Sequence, residues 1–353
     1  MLLNQKNILR HALPLALSIL APSVALACAT CGCSLSSDAA MGYSAETGWR
    51  VNVDYSFINQ SQLRSGTGPI SASQVAAIND AGGNQEVEHK TINRYVNLGI
   101  SYTPSADWNI TTIIPYIDRS HTTYGNAGTA DLNSSNLSSA SSTGIGDIKL
   151  IGSYQGLLPT HNLGIQFGIK LPTGDYGGQN TVTLATVGRN PVFFANGPNS
   201  VSPATALDAS LQPGTGSTDV ILGAYYYQPI SQNFDAFVNG QFQSAIAERL
   251  NQVNADYRPG NQENVSFGLR YEADPKIVPQ LQINLTHKSA DQGALADTTD
   301  TGGTVAYLSP GVTVSLLQKF QVYAFVQKAV YSQLSGYQLF PRWTASVGAS
   351  YAF

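Results

Sequence analysis

The most constraining feature of this chain is a strict alternation of apolar and polar residues that recurs along its length. In the segment GWRVNVDYSFI, every second residue from Trp49 to Phe57 is apolar, and the residues between them are polar. A period of two is typical of a β-strand that has one apolar face and one polar face. The same pattern recurs in RYVNLGISY, LGIQFGIKL, NVSFGLRY and WTASVGASYAF. The chain is therefore predicted to be all-β.

The connections between the predicted strands alternate in length. Short turns, such as 103–107 and 228–232, are followed by long polar loops. The long loops are predicted at 59–89, 119–144, 172–217, 248–263, 289–302 and 332–341. Short turns on one side and long loops on the other are the pattern of a β-barrel in the bacterial outer membrane. In such a barrel the apolar face of each strand contacts lipid, and the polar face lines the lumen.

We predict a transmembrane, antiparallel, up-and-down β-barrel of about twelve strands. The strands are expected at 48–58, 91–102, 108–118, 145–155, 163–171, 218–228, 233–246, 264–273, 280–288, 303–316, 320–331 and 343–353. An even number of strands places both termini in the periplasm. Pro115 and Pro310 are expected to mark bulges or breaks, because proline cannot donate to the ladder of a sheet.

The N-terminus carries an export signal. Two basic residues precede an apolar run, which ends in a small-x-small cleavage site at 25–27. This three-part pattern predicts a secretory signal peptide, and the run is too short for a membrane-spanning helix. We therefore divide the chain into a signal peptide (1–27), a periplasmic leader (28–47) and an outer-membrane barrel (48–353).

The C-terminus carries a second signal. The chain ends on an alternating strand with Phe353, which resembles the C-terminal aromatic that the barrel-assembly machinery of the outer membrane recognises. Aromatic residues near other predicted strand ends are expected to form girdles at the two membrane interfaces. They are Tyr102, Trp108, Tyr154, Tyr226, Tyr271, Trp343 and Tyr351.

Composition and the positions of the histidines argue against two classes of function, nucleic-acid binding and catalysis. The net charge is −4 and only 11% of the residues are charged, with no basic block, so no nucleic-acid partner is expected. The histidines after the signal peptide are His89 and His121 in predicted long loops, His161 in a short turn and His287 on an outward face. No nucleophile-elbow motif accompanies them, so an enzyme is not expected. The partners implied are outer-membrane lipid and a small-molecule solute, and no cofactor is expected in the barrel.

Charged residues on the polar faces are the candidates for the lumen and its rim. They are Arg50, Asp54, Asp147, Lys149, Lys170, Asp219, Asp235, Arg270 and Lys288. Mixed signs argue against a strongly ion-selective channel, which needs a ring of one sign. Twelve strands enclose a small lumen, which suits small solutes, although a plugged structural barrel remains an alternative. The long loop 172–217 is expected to constrict the mouth of the lumen or to cover it.

Several motifs carry a family resemblance. They are GIGDIKL (144–150), GIKLPTGDY (168–176), LQPGTGSTD (211–219), YRPGN (257–261) and YLSPG (307–311). Over about half of the chain, this ordered set resembles the phenol-degradation meta-pathway family of outer-membrane transporter-like barrels. The resemblance implies a pore or transporter for small, often apolar or aromatic, compounds. It implies no catalytic residues.

The three cysteines of the chain, Cys28, Cys31 and Cys33, directly follow the predicted cleavage site. Acylation of Cys28 is one interpretation, and a disulfide in the oxidising periplasm is a second. Capture of a soft metal such as Cu(I) or Zn(II), or of an iron–sulfur centre, is a third. The fourth gives an alternative function, in which a structural or electron-transfer sheath barrel uses the cysteine leader to dock a periplasmic redox or metal partner. No Cys-x-x-Cys-His motif is present, so covalent haem attachment is not expected.

Overall fold

Alternate residues of a strand point to opposite faces, and in this chain the apolar face is the exposed one. In the computed structural model, which describes residues 47–353, the strand Ile277–Lys288 exposes Leu281 and Ile283 by 47% each. Their polar neighbours Gln282 and Asn284 are 1% and 4% exposed. A water-soluble protein buries its leucines and exposes its glutamines, so this arrangement is inverted. It suits a wall with lipid outside and polar groups within.

The described residues contain seventeen strands and one α-helix. The strands are β1 (Gly48–Gly66), β2 (Gly68–Pro69), β3 (Glu88–Ser105), β4 (Trp108–Thr123), β5 (Ser138–Ile145), β6 (Ile148–Tyr154), β7 (Leu163–Leu171), β8 (Tyr176–Gln179), β9 (Thr186–Arg189), β10 (Ser217–Pro229), β11 (Phe234–Glu248), β12 (Asn251–Gln252), β13 (Ala255–Asp256), β14 (Gln262–Tyr271), β15 (Ile277–Lys288), β16 (Gly303–Leu317) and β17 (Phe320–Ala352). The helix α1 (Ala72–Asp80) follows β2 in the first long loop and begins with a capping box at Ser71. Short 3₁₀ turns lie in later loops at Thr129–Asp131, Ser134–Asn136, Pro198–Ser200 and Ala209–Leu211. Within this region, no helix is both long enough and apolar enough to cross a membrane.

The long strands form a closed antiparallel meander. Each pairs with the next, and β17 returns to pair with β1, so a ring of eleven strands is closed, with β2 and β5 as additions at its edge. At the seam, the Trp49 N–H donates to the Phe353 carbonyl at 3.2 Å and the Phe353 N–H donates to the Trp49 carbonyl at 2.9 Å. The predicted fold class, an all-β up-and-down barrel, is confirmed.

The last strand crosses the wall twice. Its first arm (320–334) pairs with β16, and its second arm (337–352) pairs with β1. The Ala352 N–H donates to the Lys319 carbonyl at 3.0 Å, so the far ends of the two arms meet. The ring of eleven strands therefore makes twelve crossings.

The predicted long loop at 332–341 is wrong. This segment lies inside β17, and only a tight turn at Ser335 and Gly336 joins its two arms. Gly336 has a φ of +52°, which glycine adopts without strain, and a Cβ at this position would collide with the Asp300 carboxylate. A tight turn of this kind needs only one small residue of positive φ, so it lacks the long polar stretch that marks the other loops.

Neither Pro115 nor Pro310 ends its strand. β4 runs through Pro115, and it is the partner that is broken, because β5 pairs with 116–123 and β6 pairs with 108–113. The Pro115 carbonyl accepts the Gly146 N–H at 2.8 Å at this junction. β16 continues to pair with β15 through Pro310.

The two ends of the barrel differ as expected for an outer-membrane protein. The short turns lie at the same end as both ends of the wall, Gly48 and Phe353, and this end faces the periplasm. Aromatic pairs lie at this end, with ring centroids 4.7 Å apart for Trp49 and Tyr102 and 4.9 Å apart for Trp108 and Tyr154. The long loops lie at the opposite, extracellular end. The protein is thus a transmembrane barrel of the bacterial outer membrane. The signal peptide, most of the leader, and Cys28, Cys31 and Cys33 lie outside the described residues.

Candidate functional site

Lys170 on β7 is the centre of a buried charge network at the extracellular rim. Its Nζ lies 3.0 Å from Asp219 Oδ2 on β10 and 3.3 Å from Asp147 Oδ2 at the β5–β6 junction. All three side chains are buried. Buried charges are tolerated when they are paired and hydrogen-bonded, and Asp147 also accepts the N–H groups of Gly174 and Thr215. Because Gly174 and Thr215 lie at the two ends of the loop between β7 and β10, this network fastens that loop to the wall.

Lys149 joins the same network from β6. It lies directly opposite Lys170 in the ladder, and its Nζ donates to Gln243 Oε1 at 2.9 Å. The Gln243 amide in turn donates to Asp219 Oδ2 at 2.6 Å. Four of the charged residues predicted for the lumen, Asp147, Lys149, Lys170 and Asp219, are therefore brought together. Their formal charges cancel.

The other predicted lumen residues lie apart from this network. Asp54 is buried on the opposite wall, where it accepts the Tyr323 hydroxyl at 2.8 Å and the Asn97 amide at 3.1 Å. Arg270 Nη2 lies 3.0 Å from Glu272 Oε1 near the periplasmic end and faces Asp235 in the ladder. The remaining two are Lys288, whose Nζ lies 2.8 Å from Asp291 Oδ1, and the half-buried Arg50 on β1.

Inward aromatic side chains lie over glycines of the neighbouring strand or arm, a feature absent from the predictions. Phe237 on β11 is directly opposite Gly268 on β14, and a Cβ on Gly268 would collide with its ring. The same relationship joins Tyr225 to Gly164, Tyr323 to Gly348 and Phe325 to Gly311. An aromatic residue and a glycine in register on adjacent polar faces would have been the signal. In each pair the aromatic ring lies against the inner surface of the wall, in the space that a larger residue than glycine would fill.

One side of the lumen carries a run of half-buried neutral side chains. Neutral side chains on the inner faces of β7, β11 and β14 are only half-buried, and we call this set the neutral strip. It comprises Gln166, Asn239, Gln241, Asn264 and Ser266. Between Gln166 and Gln241 lies Gly223 of β10, which has no side chain to occupy the space. On the opposite wall, the inward residues are buried against one another, namely Gln280, Gln282, Asn284, Ser309, Thr313 and Ser346.

The loop between β7 and β10 folds into the extracellular mouth. Arg119 on β4 points inward, and its Nη1 donates to the Gln212 carbonyl of this loop at 3.4 Å. Within the loop, Phe194 packs with Leu207 and Leu211 in an apolar cluster. The loop thus occupies part of the opening above the neutral strip.

Two histidines lie where they were not expected. His89 is on β3 and His121 is on β4, so their prediction as loop residues is wrong. Both strands extend beyond the membrane into the segments predicted to be loops. His121 is buried in the lumen, where its ring contacts Phe194 of the inward-folded loop at 6.0 Å between centroids, and its Nδ1 shares a hydrogen bond with Thr91 Oγ1 at 2.8 Å.

A cluster of buried carboxylates lies beside His121 at the extracellular end, and we call it the acidic chamber. It comprises Glu86, Glu88, Asp208, Asp297 and Asp300. Burial, reinforced by the charge of Asp297, raises the pKa of Asp300 to about 7. Burial and the charges of Glu86 and Asp297 also hold the pKa of Asp208 well above its usual range. The alternation pattern does not reveal this cluster, because its members lie in segments predicted to be loops.

Among residues 47–353, no three histidine, cysteine, aspartate or glutamate side chains are arranged to hold a metal ion. The soft-metal interpretation concerns the three cysteines, which lie outside this range.

A solved structure of low sequence identity shares the fold, and two others are more distantly similar. An outer membrane channel from Pseudomonas putida F1 is 13% identical, with a TM-score of 0.58 over 87% of this chain and 96% of that chain. The toluene transporter TodX of P. putida is 10% identical and has a TM-score of 0.41 over 90% of this chain and 95% of that chain. The toluene transporter TbuX of Ralstonia pickettii is also 10% identical and has a TM-score of 0.41, over 87% of this chain and 90% of that chain.

Among curated proteins, no sequence matches this chain. A family model does match it, over residues 76–340, which is most of the barrel. The chain belongs to the family described as "Putative MetA-pathway of phenol degradation".

Proposed function

We propose that this protein is a passive outer-membrane channel for small neutral solutes, including aromatic ones. The observation that carries the proposal is the neutral strip. Its inward side chains are half-buried amides and a hydroxyl, and the charged Asp235 and Arg270 lie only at the periplasmic ends of the same strands. A pathway lined by neutral hydrogen-bonding groups has no electrostatic barrier that favours one sign of ion.

The charge network supports the same conclusion. Lys170 is neutralised by two carboxylates, and the nearby Lys149 is held by Gln243. This network therefore adds no net charge to its part of the rim. Phenols have an apolar ring and one hydroxyl, so they match amide side chains that can both donate and accept. The phenol-degradation description of the family agrees with this chemistry.

Adjacent residues on β14 provide a matched test of the pathway. Ser266 points into the lumen on the neutral strip, whereas Phe267 points outward and is exposed to lipid. Ser266→Trp is expected to narrow the pathway, and Phe267→Trp is expected to leave it unchanged. Single-channel conductance in planar bilayers would measure both variants, and added phenol should reduce the open-channel current.

Three results are expected from this experiment. The wild-type barrel must conduct, Ser266→Trp must lower the unit conductance, and Phe267→Trp must match the wild type. A wild-type barrel that inserts into bilayers without any conductance would contradict the proposal and would favour a plugged structural barrel. Equal conductance in all three proteins would show that the strip is not the pathway.

A further inference from the structure

The acidic chamber contains four carboxylate groups of which only one oxygen each is engaged. Glu88, Asp208, Asp297 and Asp300 are between 1% and 7% exposed. In each, the second oxygen has no hydrogen-bond partner among the described residues, namely Glu88 Oε1, Asp208 Oδ1, Asp297 Oδ2 and Asp300 Oδ2. A buried carboxyl oxygen without a partner is costly whether the group is ionised or protonated, so four in one place need a physical reason.

The engaged oxygens hold these side chains in fixed positions. Glu88 Oε2 accepts the Leu339 N–H at 3.0 Å, and Asp300 Oδ1 accepts the Tyr337 N–H at 2.9 Å, both from the second arm of β17. Asp297 Oδ1 accepts the Asp300 N–H at 2.7 Å. Asp208 Oδ2 accepts the Ser210 hydroxyl at 3.1 Å. One oxygen of each group is therefore a structural anchor, and the other is left for a further partner.

The unpartnered oxygens belong to one shared environment. Asp208 comes from the inward-folded loop between β7 and β10, and Asp297 and Asp300 come from the loop between β15 and β16. Ala209, the residue after Asp208, packs with Leu295 in one buried cluster, and Asp297 follows Leu295 by two residues. Burial, reinforced by the charges of Glu86 and Asp297, raises the pKa values of Asp208 and Asp300. The unpartnered Glu88 Oε1 points towards His121, whose Nδ1 is 4.0 Å away. Strand ends and two loops thus bring these carboxyl groups together.

The kind of cation follows from the geometry. A bare divalent metal ion needs several oxygens at about 2.0–2.6 Å from one point. Among residues 47–353, no three histidine, cysteine, aspartate or glutamate side chains are arranged in this way. Carboxylates that are close but do not converge suit a larger ligand with several N–H donors. We propose that the acidic chamber binds a small organic cation that carries ammonium groups, such as an aliphatic polyamine, at the extracellular entrance of the barrel.

This site is separate from the neutral strip, and its binding does not require the barrel to conduct. The test is isothermal titration calorimetry of the purified full chain in non-ionic detergent at low salt and pH 8. Spermidine is the probe, and calcium chloride and sodium sulfate are titrated in parallel. Asp208→Asn/Asp297→Asn removes two charges and retains their shape. Asp274→Asn in an exposed periplasmic turn is the matched control.

The expected result is one saturable site for spermidine, with an affinity that the double variant lowers at least about tenfold, because buried charges are lost. Asp274→Asn should bind like the wild type, and sulfate should not bind. Heat-dependent electrophoretic mobility would report folding, and Asp300→Asn alone would replace the double variant if that variant fails to fold. Tighter binding of calcium than of spermidine, equal binding by both variants, or no saturable heat with spermidine would each overturn the proposal.

Discussion

Lys170 Nζ lies 3.0 Å from Asp219 and 3.3 Å from Asp147, so a single buried cation neutralises two carboxylates from different parts of the wall. Removing the cation leaves two anions in a space that excludes water. Lys170→Met is therefore expected to cost about 3–5 kcal/mol of folding free energy, as for other broken buried pairs. Urea unfolding of the barrel in detergent would measure it. Lys276→Met, at an exposed lysine of a periplasmic turn, is the control and should change the unfolding midpoint little.

Asp300 makes barrel stability depend on pH. Its pKa is about 7 in the folded protein against an ordinary value of 3.8, so the folded state holds a proton that the unfolded chain has released. The stabilisation is complete below pH ~4 and is lost as the pH rises to ~7. The apparent melting temperature should therefore fall over this range.

Asp300→Asn tests the origin of this dependence. An asparagine oxygen can still accept the Tyr337 N–H, but it carries no charge. The variant should be more stable than the wild type at pH 8, by a few degrees in melting temperature, and its stability should depend less on pH between 4 and 7. A pH profile identical to that of the wild type would exclude Asp300 as its source.

Gly268 is required by the ring that lies over it. A Cβ on Gly268 would collide with Phe237, whereas a Cβ on Gly240, in the adjacent strand and facing lipid, would meet nothing within 4 Å. Gly268→Ala should lower the yield of folded barrel and destabilise it by roughly 1–3 kcal/mol, and Gly240→Ala should be neutral. Phe237→Leu should partly restore the Gly268→Ala variant, which would attribute the effect to the collision. Refolding yield and urea unfolding would measure all three.

Asp147 holds the inward-folded loop by accepting N–H groups at the two ends of that loop, Gly174 at 3.1 Å and Thr215 at 2.9 Å. Asp147→Asn removes the charge that strengthens these bonds and leaves Lys170 paired with Asp219. We expect a larger and noisier single-channel conductance, because the loop would leave the mouth more often. An unchanged current trace would show that the loop is held in place by its apolar contacts alone.

The parts of the fold that follow from local sequence were predicted correctly. The alternation in β15 is readable because each position has a single environment, lipid or lumen, and Leu281 and Gln282 are typical of the two. The same periodicity placed Asp147, Lys149, Lys170 and Asp219 on the inner face. It could not show that these four residues meet, because contacts across strands depend on register, which alternation alone does not fix.

The missed features have a common physical cause. Strands of this barrel extend beyond the membrane, where neither face contacts lipid and the apolar signal disappears. Glu88 and His121 lie in such extensions, so they were assigned to loops although they are buried. The turn at Gly336 is not evident from the sequence, because a tight hairpin needs only one or two turn residues and has no long polar stretch to mark it.

The seam between Trp49 and Phe353 has a consequence for how the protein is made. One side of the first strand pairs with β3, but its other side pairs only with the second arm of β17, and hydrogen bonds run in both directions between Trp49 and Phe353. The ring therefore cannot close before this arm is available, and until then a nascent barrel keeps two unpaired strand edges. An open edge readily pairs with other chains. The architecture therefore requires the incomplete chain to be kept from aggregating throughout its passage across the periplasm.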